Sequence, residues 1–182
     1  ISYRLVGSEM CIRDSSNTAG SISDSITIPN SLFNGISYGR SPDGNNNWCF
    51  FDQPTPNDNN SNSWCYDGIE SQPEIITASG WYTNLVNVNF NTNSQSNIRY
   101  TTNGDVPDLN DPILNSNISF NSSTVFSAKA FSNQNLLPSE VIDRTYIINE
   151  QNHNLPVFSI ITDEDNLCLL YTSDAADDLY RG

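Results

Sequence analysis

The residues of this chain that are able to do chemistry are few, and most of them are carboxylates. The sequence holds 21 Asp and Glu, four Cys and one His. Asp105, Asp108 and Asp111 follow Asn103 closely and offer the oxygen ligands that Ca²⁺ prefers. Their spacing lacks the alternate acidic positions, the Gly and the final Glu of a hand-type calcium loop. A calcium site and a solvated acidic turn are the two alternative interpretations of these residues, and we expect the turn.

The remaining polar residues do not indicate catalysis. Asp163, Glu164 and Asp165 are consecutive, so one strand cannot turn all three toward a shared substrate. His153 lies in a polar string without a Ser or Cys partner that the sequence identifies, and no Gly-rich phosphate loop occurs. We therefore expect no catalytic residue, no cofactor and no established metal site.

Two terminal segments differ in amino-acid composition from the Asn-rich chain between them. Residues 1–15, ISYRLVGSEMCIRDS, and residues 168–182, CLLYTSDAADDLYRG, resemble translated sequencing-adapter sequence. The two segments are equally long, and neither continues the composition beside it. We expect that neither segment belongs to the protein.

Without those segments, Cys49 and Cys65 are the remaining cysteines, and each of them follows a Trp. A disulfide between them would close a loop of about 17 residues and stabilise the fold by roughly 3 kcal/mol. Two free thiols are the alternative. A zinc site would need further Cys or His ligands nearby.

The elements that must position these residues are short strands and turns. Asn accounts for 27 of the 182 residues, and the 36% hydrophobic content leaves little material for a large core. The intervals between the Asn, Ser, Asp and Gly clusters are rich in Val, Ile, Phe, Tyr and Thr, which favour strands. The composition therefore predicts an all-β fold.

The charge of the chain excludes two classes of partner. The formal net charge is -14, and no cluster of Lys or Arg offsets it. Phosphate backbones and anionic lipid surfaces are repelled by such a protein. No run reaches the roughly 18 apolar residues that span a bilayer. We expect neither nucleic acid binding nor membrane insertion.

Alternation of polar and apolar residues locates the strands. Phe126, Ala128 and Ala130 share one face, which we predict to be core, while Ser127 and Lys129 share the other. After residue 72 the strands recur about every ten residues, which is typical of an immunoglobulin- or fibronectin-III-like antiparallel β-sandwich. The predicted strands are residues 24–28, 36–39, 73–76, 81–90, 97–102, 117–120, 123–131 and 141–148, with an apolar patch at 48–51.

Part of the N-terminal half resembles a known family. The string SITIPNSLFNGISYGRSPDGNNNWCFFDQPTPNDNN resembles the closing segment of bacterial lamin-tail domains, with their Ser-Tyr-Gly-Arg, Pro-Asp-Gly, Trp and Pro-Thr-Pro series. The resemblance implies a truncated β remnant at residues 16–56, poorly ordered or docked elsewhere because its earlier strands are absent. The Asn- and Ser-rich residues 57–71 are predicted to be a linker.

The following module resembles a second family. IRYTTNGDVPDLNDP and STVFSAKAFSNQNLLPSEVIDRTY resemble the β-sandwich at the C-terminal side of chitobiases and hexosaminidases, which also occurs beside fucosidases. The resemblance covers residues 72–148. Residues 149–167 are predicted to be a linker and, in NLPVFSIITDEDNL, resemble the first strand of a spore-coat-protein-H type secreted kinase, none of whose ligands are included.

These resemblances imply a non-catalytic spacer or interaction module from a secreted or cell-surface multidomain bacterial protein. Its partners would be the neighbouring domains of the same parent chain. The alternative is a carbohydrate-binding accessory module, in which Trp81, Tyr82 and Tyr100 would stack on glycan rings. Core packing is the competing interpretation of these three aromatic residues.

Overall fold

The computed structural model describes residues 12–91, 96–151 and 156–162. The chain forms two compact units. Unit 1 extends to Glu70 and includes Gln134–Leu137, whereas unit 2 contains Ser71–Asn133 and the residues from Pro138 onward. His153 and the acidic residues 163–165 lie outside the described residues. Within the described ranges, no helix combines the length and the apolarity that crossing a membrane requires.

Regular structure in the described residues is β, apart from one 3₁₀ turn at Asn60–Asn62. The strands of unit 1 are β1 (Ile12–Ser16), β2 (Ile22–Thr27), β3 (Ser37–Arg40), β4 (Trp48–Phe51), β5 (Gly68–Ile69) and β13 (Leu136–Leu137). Those of unit 2 are β6 (Glu74–Ile75), β7 (Gly80–Tyr82), β8 (Val86–Val88), β9 (Phe90–Asn91), β10 (Ser96–Thr101), β11 (Ile118–Phe120), β12 (Thr124–Ser132) and β14 (Ile142–Ile148). The predicted all-β class is confirmed.

Unit 2 is a β-sandwich. Its larger sheet has the strand order β10-β12-β14-β7, and the pairs β6-β9 and β8-β11 supply the opposing strands. Side chains from both layers meet in one core, because alternate residues of each strand point inward. The buried members of this core are Ile75, Val86, Val88, Ile98, Leu114, Phe126, Ala128, Tyr146 and Ile148.

The central strand β12 carries the predicted core face. Phe126 and Ala128 are completely buried and Ala130 is nearly so, which confirms that part of the prediction. Ser127 points to the other face but is buried as well, since it is a short side chain on a strand flanked by β10 and β14. Burial also lowers the pKa of Lys129 on that face.

One pairing in unit 2 differs from the antiparallel sheet that we predicted. Strand β7 pairs with β14 in parallel, with Tyr146 beside Gly80 and Ile148 beside Tyr82. The strands β10, β12 and β14 are antiparallel to their neighbours as expected. Alternation of side chains is the same in both arrangements, so it does not reveal strand direction.

Unit 1 is built around a hairpin of β3 and β4. The turn between them contains a cis Ser41–Pro42 bond and Gly44, whose φ of 74° lies in the left-handed region that favours glycine. A bridge between Phe50 and Tyr66 extends this hairpin by a third segment.

The boundaries of unit 1 differ from those expected from the sequence. Strand β1 begins at Ile12 and pairs with β2, so it crosses the predicted boundary at residue 16. Of the expected linker at residues 57–71, residues 57–70 belong to unit 1. Asn60 explains part of this difference, because its amide donates to the Arg40 carbonyl at 2.8 Å and its side-chain oxygen accepts from Thr55. A polar segment is held here by hydrogen bonds and not by burial of apolar surface.

Truncation of the core phenylalanine should destabilise unit 2 strongly. Phe126→Ala removes a completely buried ring, and we expect it to lower the free energy of unfolding by about 3–5 kcal/mol. Phe158→Ala is the control, because that side chain is 87% exposed, and its expected effect is below about 0.5 kcal/mol. Urea denaturation followed by circular dichroism measures both, and equal midpoints would contradict the assignment of the core.

Tyr146 should make the stability of unit 2 sensitive to alkaline pH. Burial, with a smaller contribution from Tyr82, raises the pKa of Tyr146 to about 12. An unfolded tyrosine ionises near pH 10, so the unfolded state loses this proton first and stability falls between about pH 10 and 12, by up to roughly 3 kcal/mol. Below pH 10 this contribution is constant.

The variant Tyr146→Phe tests this linkage. It removes the hydroxyl that donates to the Thr77 carbonyl at 3.1 Å, so a loss of about 1 kcal/mol is expected at neutral pH. Urea denaturation between pH 9 and pH 11.5 should then show a shallower decline for the variant than for the unsubstituted chain. Parallel declines would show that Tyr146 does not titrate as described.

Candidate functional site

The three aromatic residues predicted to stack on glycans do not come together. Trp81 and Tyr82 lie on β7 and Tyr100 lies on β10, and these two strands form the opposite edges of the four-stranded sheet. Trp81 and Tyr82 are consecutive on one strand and therefore point to opposite faces.

Two of these three residues are used in packing. The Tyr82 ring contacts Tyr146 with centroids 5.8 Å apart, and its hydroxyl donates to the Ala78 carbonyl at 2.7 Å. The Tyr100 ring lies 5.7 Å from Phe126. Trp81 remains 41% exposed at the sheet edge.

The predicted calcium ligands are engaged in local turns. Asp105 accepts a hydrogen bond from the Asn103 amide, Asp108 accepts from the backbone N–H of Asn110, and Asp111 accepts from the backbone N–H of Asp108. Over the residues that the structure describes, no three acidic, Cys or His side chains are grouped so that they could hold a metal ion. The three carboxylates border an open cavity of about 580 Å³ beside Tyr100.

Cys49 and Cys65 form a disulfide in unit 1, with their Cα atoms 5.1 Å apart. Cys49 is 1% exposed and lies on β4 between Trp48 and Phe50. Phe51, two residues further along β4 and on the same face, is equally buried, and Phe50 on the other face is 9% exposed. The disulfide therefore joins the buried side of the hairpin to the segment that contains Cys65.

The opposite side of the same hairpin is aromatic. The cysteines lie in two similar tripeptides, Trp48-Cys49-Phe50 and Trp64-Cys65-Tyr66. On β4 the Cys49 side chain points to one face and the rings of Trp48 and Phe50 point to the other. Tyr66 pairs with Phe50 in an antiparallel bridge and so lies on the same side as Phe50, and its ring contacts that of Trp64. We call the side that carries the rings the aromatic face, and it consists of Tyr38, Trp48, Phe50, Trp64 and Tyr66.

Strand register places these rings in contact. Phe50 lies opposite Tyr38 on one side and opposite Tyr66 on the other, where it exchanges two backbone hydrogen bonds of 3.0 Å with Tyr66. The Tyr38 ring stacks on Trp48 with centroids 5.4 Å apart and lies 4.7 Å from Phe50. Trp64 and Tyr66 meet edge to face at 6.5 Å. Such contacts orient aromatic rings beyond simple burial.

Charged groups surround the aromatic face. The Arg40 guanidinium lies 4.7 Å above the Trp48 ring and donates to Asp24 at 2.7 Å. That hydrogen bond lowers the pKa of Asp24. On the other side, burial and then the neighbouring Asp52 carboxylate raise the pKa of Tyr66.

The aromatic face was not predicted from the sequence. The signal was present in the repeated pattern of Trp, Cys and a second aromatic residue, but its meaning depends on the backbone pairing of Phe50 with Tyr66. Residues 57–63 between the two tripeptides resemble a linker in composition and hide that pairing.

Comparison with known proteins concerns unit 2. Residues 77–142 match the family model of the chitobiase/beta-hexosaminidase C-terminal domain. This match supports the resemblance predicted for residues 72–148 and agrees with the sandwich fold. No curated protein and no solved structure matches the chain.

Loss of the disulfide should destabilise unit 1. The loop that it closes has a sequence separation of 16, so reduction or the double variant Cys49→Ala/Cys65→Ala should cost about 3 kcal/mol. Urea denaturation with and without reductant measures this, in a Cys11→Ser/Cys168→Ser background that removes the other thiols. An identical midpoint in both conditions, or two alkylated cysteines without reductant, would mean that the thiols are free.

Proposed function

We propose that unit 2 is a non-catalytic accessory module that keeps the segments on either side of it apart. One observation carries this proposal, namely that the chain first enters and finally leaves unit 2 at different ends of the β-sandwich. Gln72 donates its side-chain amide to the Val141 carbonyl at 2.7 Å, just before β14 begins. The chain leaves the sheet at the other end of β14, after Ile148.

The parallel pairing of β7 with β14 explains this arrangement. Residues 72–82 run in the same direction as β14, because Gln72 contacts Val141 and Tyr82 lies beside Ile148, so the chain finally leaves the sheet at the end opposite to Gln72. A seven-residue strand rises by about 3.3 Å per residue, which separates the two ends by roughly 20 Å. This separation along a rigid sheet is the property that a spacer requires.

The family match supports the same function. The chitobiase/beta-hexosaminidase C-terminal domain is a non-catalytic accessory domain. We therefore assign to unit 2 the role of an accessory β-sandwich within a multidomain protein, with the neighbouring domains as its partners. A secreted or cell-surface location is part of the proposal, because disulfides such as Cys49–Cys65 persist in oxidising compartments.

The lamin-tail and kinase resemblances extend this proposal to the parent protein. Unit 1 would be the end of a lamin-tail-like domain, and a kinase-like domain would follow unit 2. Carbohydrate binding by unit 2 has less support, because Tyr82 and Tyr100 pack against core rings.

Spin labels test the spacer directly. The variant Ser71→Cys/Gln151→Cys places labels at the two ends, and Ser71→Cys/Glu140→Cys places both near the same end, each with Cys11 and Cys168 replaced by Ser. Double electron–electron resonance should give a single narrow distance for the first pair, longer than that of the second pair by roughly 20 Å. A first pair as close as the second, or a broad distribution, would contradict a rigid spacer.

A further inference from the structure

The aromatic face of unit 1 has the properties of a binding surface. Trp64 is 68% exposed, although it is a large ring that folded proteins usually bury at least in part. It lies beside Tyr66, in the same row of rings as Phe50 and Tyr38. The outermost ring is thus exposed while the rings behind it are supported by the hairpin.

Trp64 is held in one orientation before any ligand arrives. Its indole N–H donates to the Asn135 side-chain oxygen at 2.9 Å. The Asn135 amide in turn donates to the Cys65 carbonyl at 3.0 Å and to Asp67 at 3.1 Å. The disulfide fixes the backbone between Trp64 and Tyr66. A preorganised ring loses little conformational entropy on binding, which favours affinity.

The chemistry of the surface selects the ligand class. Exposed indole and phenol faces stack on flat apolar surfaces, such as the C–H face of a pyranose ring. The carboxylates of Asp52 and Asp67 and the amide of Asn135 border the rings and are able to hydrogen-bond hydroxyl groups. A net charge of -14 repels phosphorylated, sulfated and uronic acid ligands.

The size of the face argues against a stable protein partner. A specific protein interface buries roughly 800 Å² and about 20–30 residues on each side. Of the five rings of the aromatic face, Phe50 is only 9% exposed and Arg40 covers part of Trp48, so the exposed part of the face is centred on Trp64. This extent corresponds to a few sugar units.

We propose that the aromatic face binds neutral polysaccharides by stacking pyranose rings on Trp64 and Tyr66. Hydroxyl groups of the sugar accept from or donate to the bordering Asn135, Asp52 and Asp67. This site is in unit 1 and does not depend on the spacer role proposed for unit 2. Failure of one proposal leaves the other standing, because spin-label distances in unit 2 do not report on sugar binding to unit 1.

The experiment is a titration of the full chain with cellohexaose, xylohexaose, mannohexaose and chitohexaose, followed by tryptophan fluorescence and calorimetry. At least one hexasaccharide should bind, and polygalacturonate should not. Trp64→Ala should weaken binding by roughly tenfold or more, as the loss of one stacking contact implies. Trp81→Ala is the matched control, because it removes the exposed Trp of unit 2, and it should leave affinity unchanged.

A second variant protects the test against misfolding. Asn135→Ala releases the Trp64 indole without removing the ring, and we expect it to weaken binding by a few-fold. Circular dichroism and an intact disulfide mass check that each variant is folded.

Several results would overturn the proposal. These are the absence of binding to every hexasaccharide, full affinity in Trp64→Ala, or an equal loss in Trp81→Ala. Dimerisation of the unsubstituted chain that Trp64→Ala abolishes would also overturn it, because the face would then be a protein interface.

Discussion

Both units depend on one constraint, the alternation of side chains between the two faces of a strand. In unit 2 it brings Phe126 and Ala128 to the core face of the central strand, where they meet Tyr146. In unit 1 it separates Cys49 from its neighbours Trp48 and Phe50, which point the other way. Only 36% of the residues are hydrophobic, so the face on which each of them lies decides which surfaces are buried.

The two units use this constraint differently. Unit 2 encloses its aromatic rings between two layers, and burial of Tyr146 and Phe126 provides much of its stability. Unit 1 has its buried Cys49 and Phe51 on one side of the hairpin, with the disulfide as a covalent support. Because the disulfide replaces part of a core, unit 1 is able to leave Trp64 on its other side 68% exposed, although Phe50 on that side is buried. The buried core of unit 2 and the aromatic face of unit 1 therefore follow from the same alternation of side chains.

Prediction from the sequence succeeded where the evidence was local. Apolar and polar residues alternate from Phe126 to Ala130 of β12, so both the strand and its core face were predicted correctly. Two-residue strands such as β5 and β13 were missed, because so short a segment carries no recognisable period. The parallel partner of β14 was missed because alternation contains no information on direction.

The candidate sites show the same limit. Trp81, Tyr82 and Tyr100 were predicted to stack on glycan rings, but the sheet order places Tyr100 on the edge opposite to Trp81 and Tyr82. The aromatic face requires Phe50 to pair with Tyr66, and the segment between these two residues has the composition of a linker. Hydrogen bonds of the Asn60 side chain hold that segment against the hairpin. Composition alone does not distinguish an Asn that makes such hydrogen bonds from one that is solvated.

Hydroxyl-radical footprinting with mass spectrometry tests the assignment of faces in both units at once. Trp64 and Phe158 should be oxidised rapidly in the native chain, in keeping with their exposure of 68% and 87%. Phe126 and Tyr146, which are completely buried, should be oxidised only after unfolding in urea. Protection of Trp64, or oxidation of Tyr146 at a comparable rate, would contradict the account.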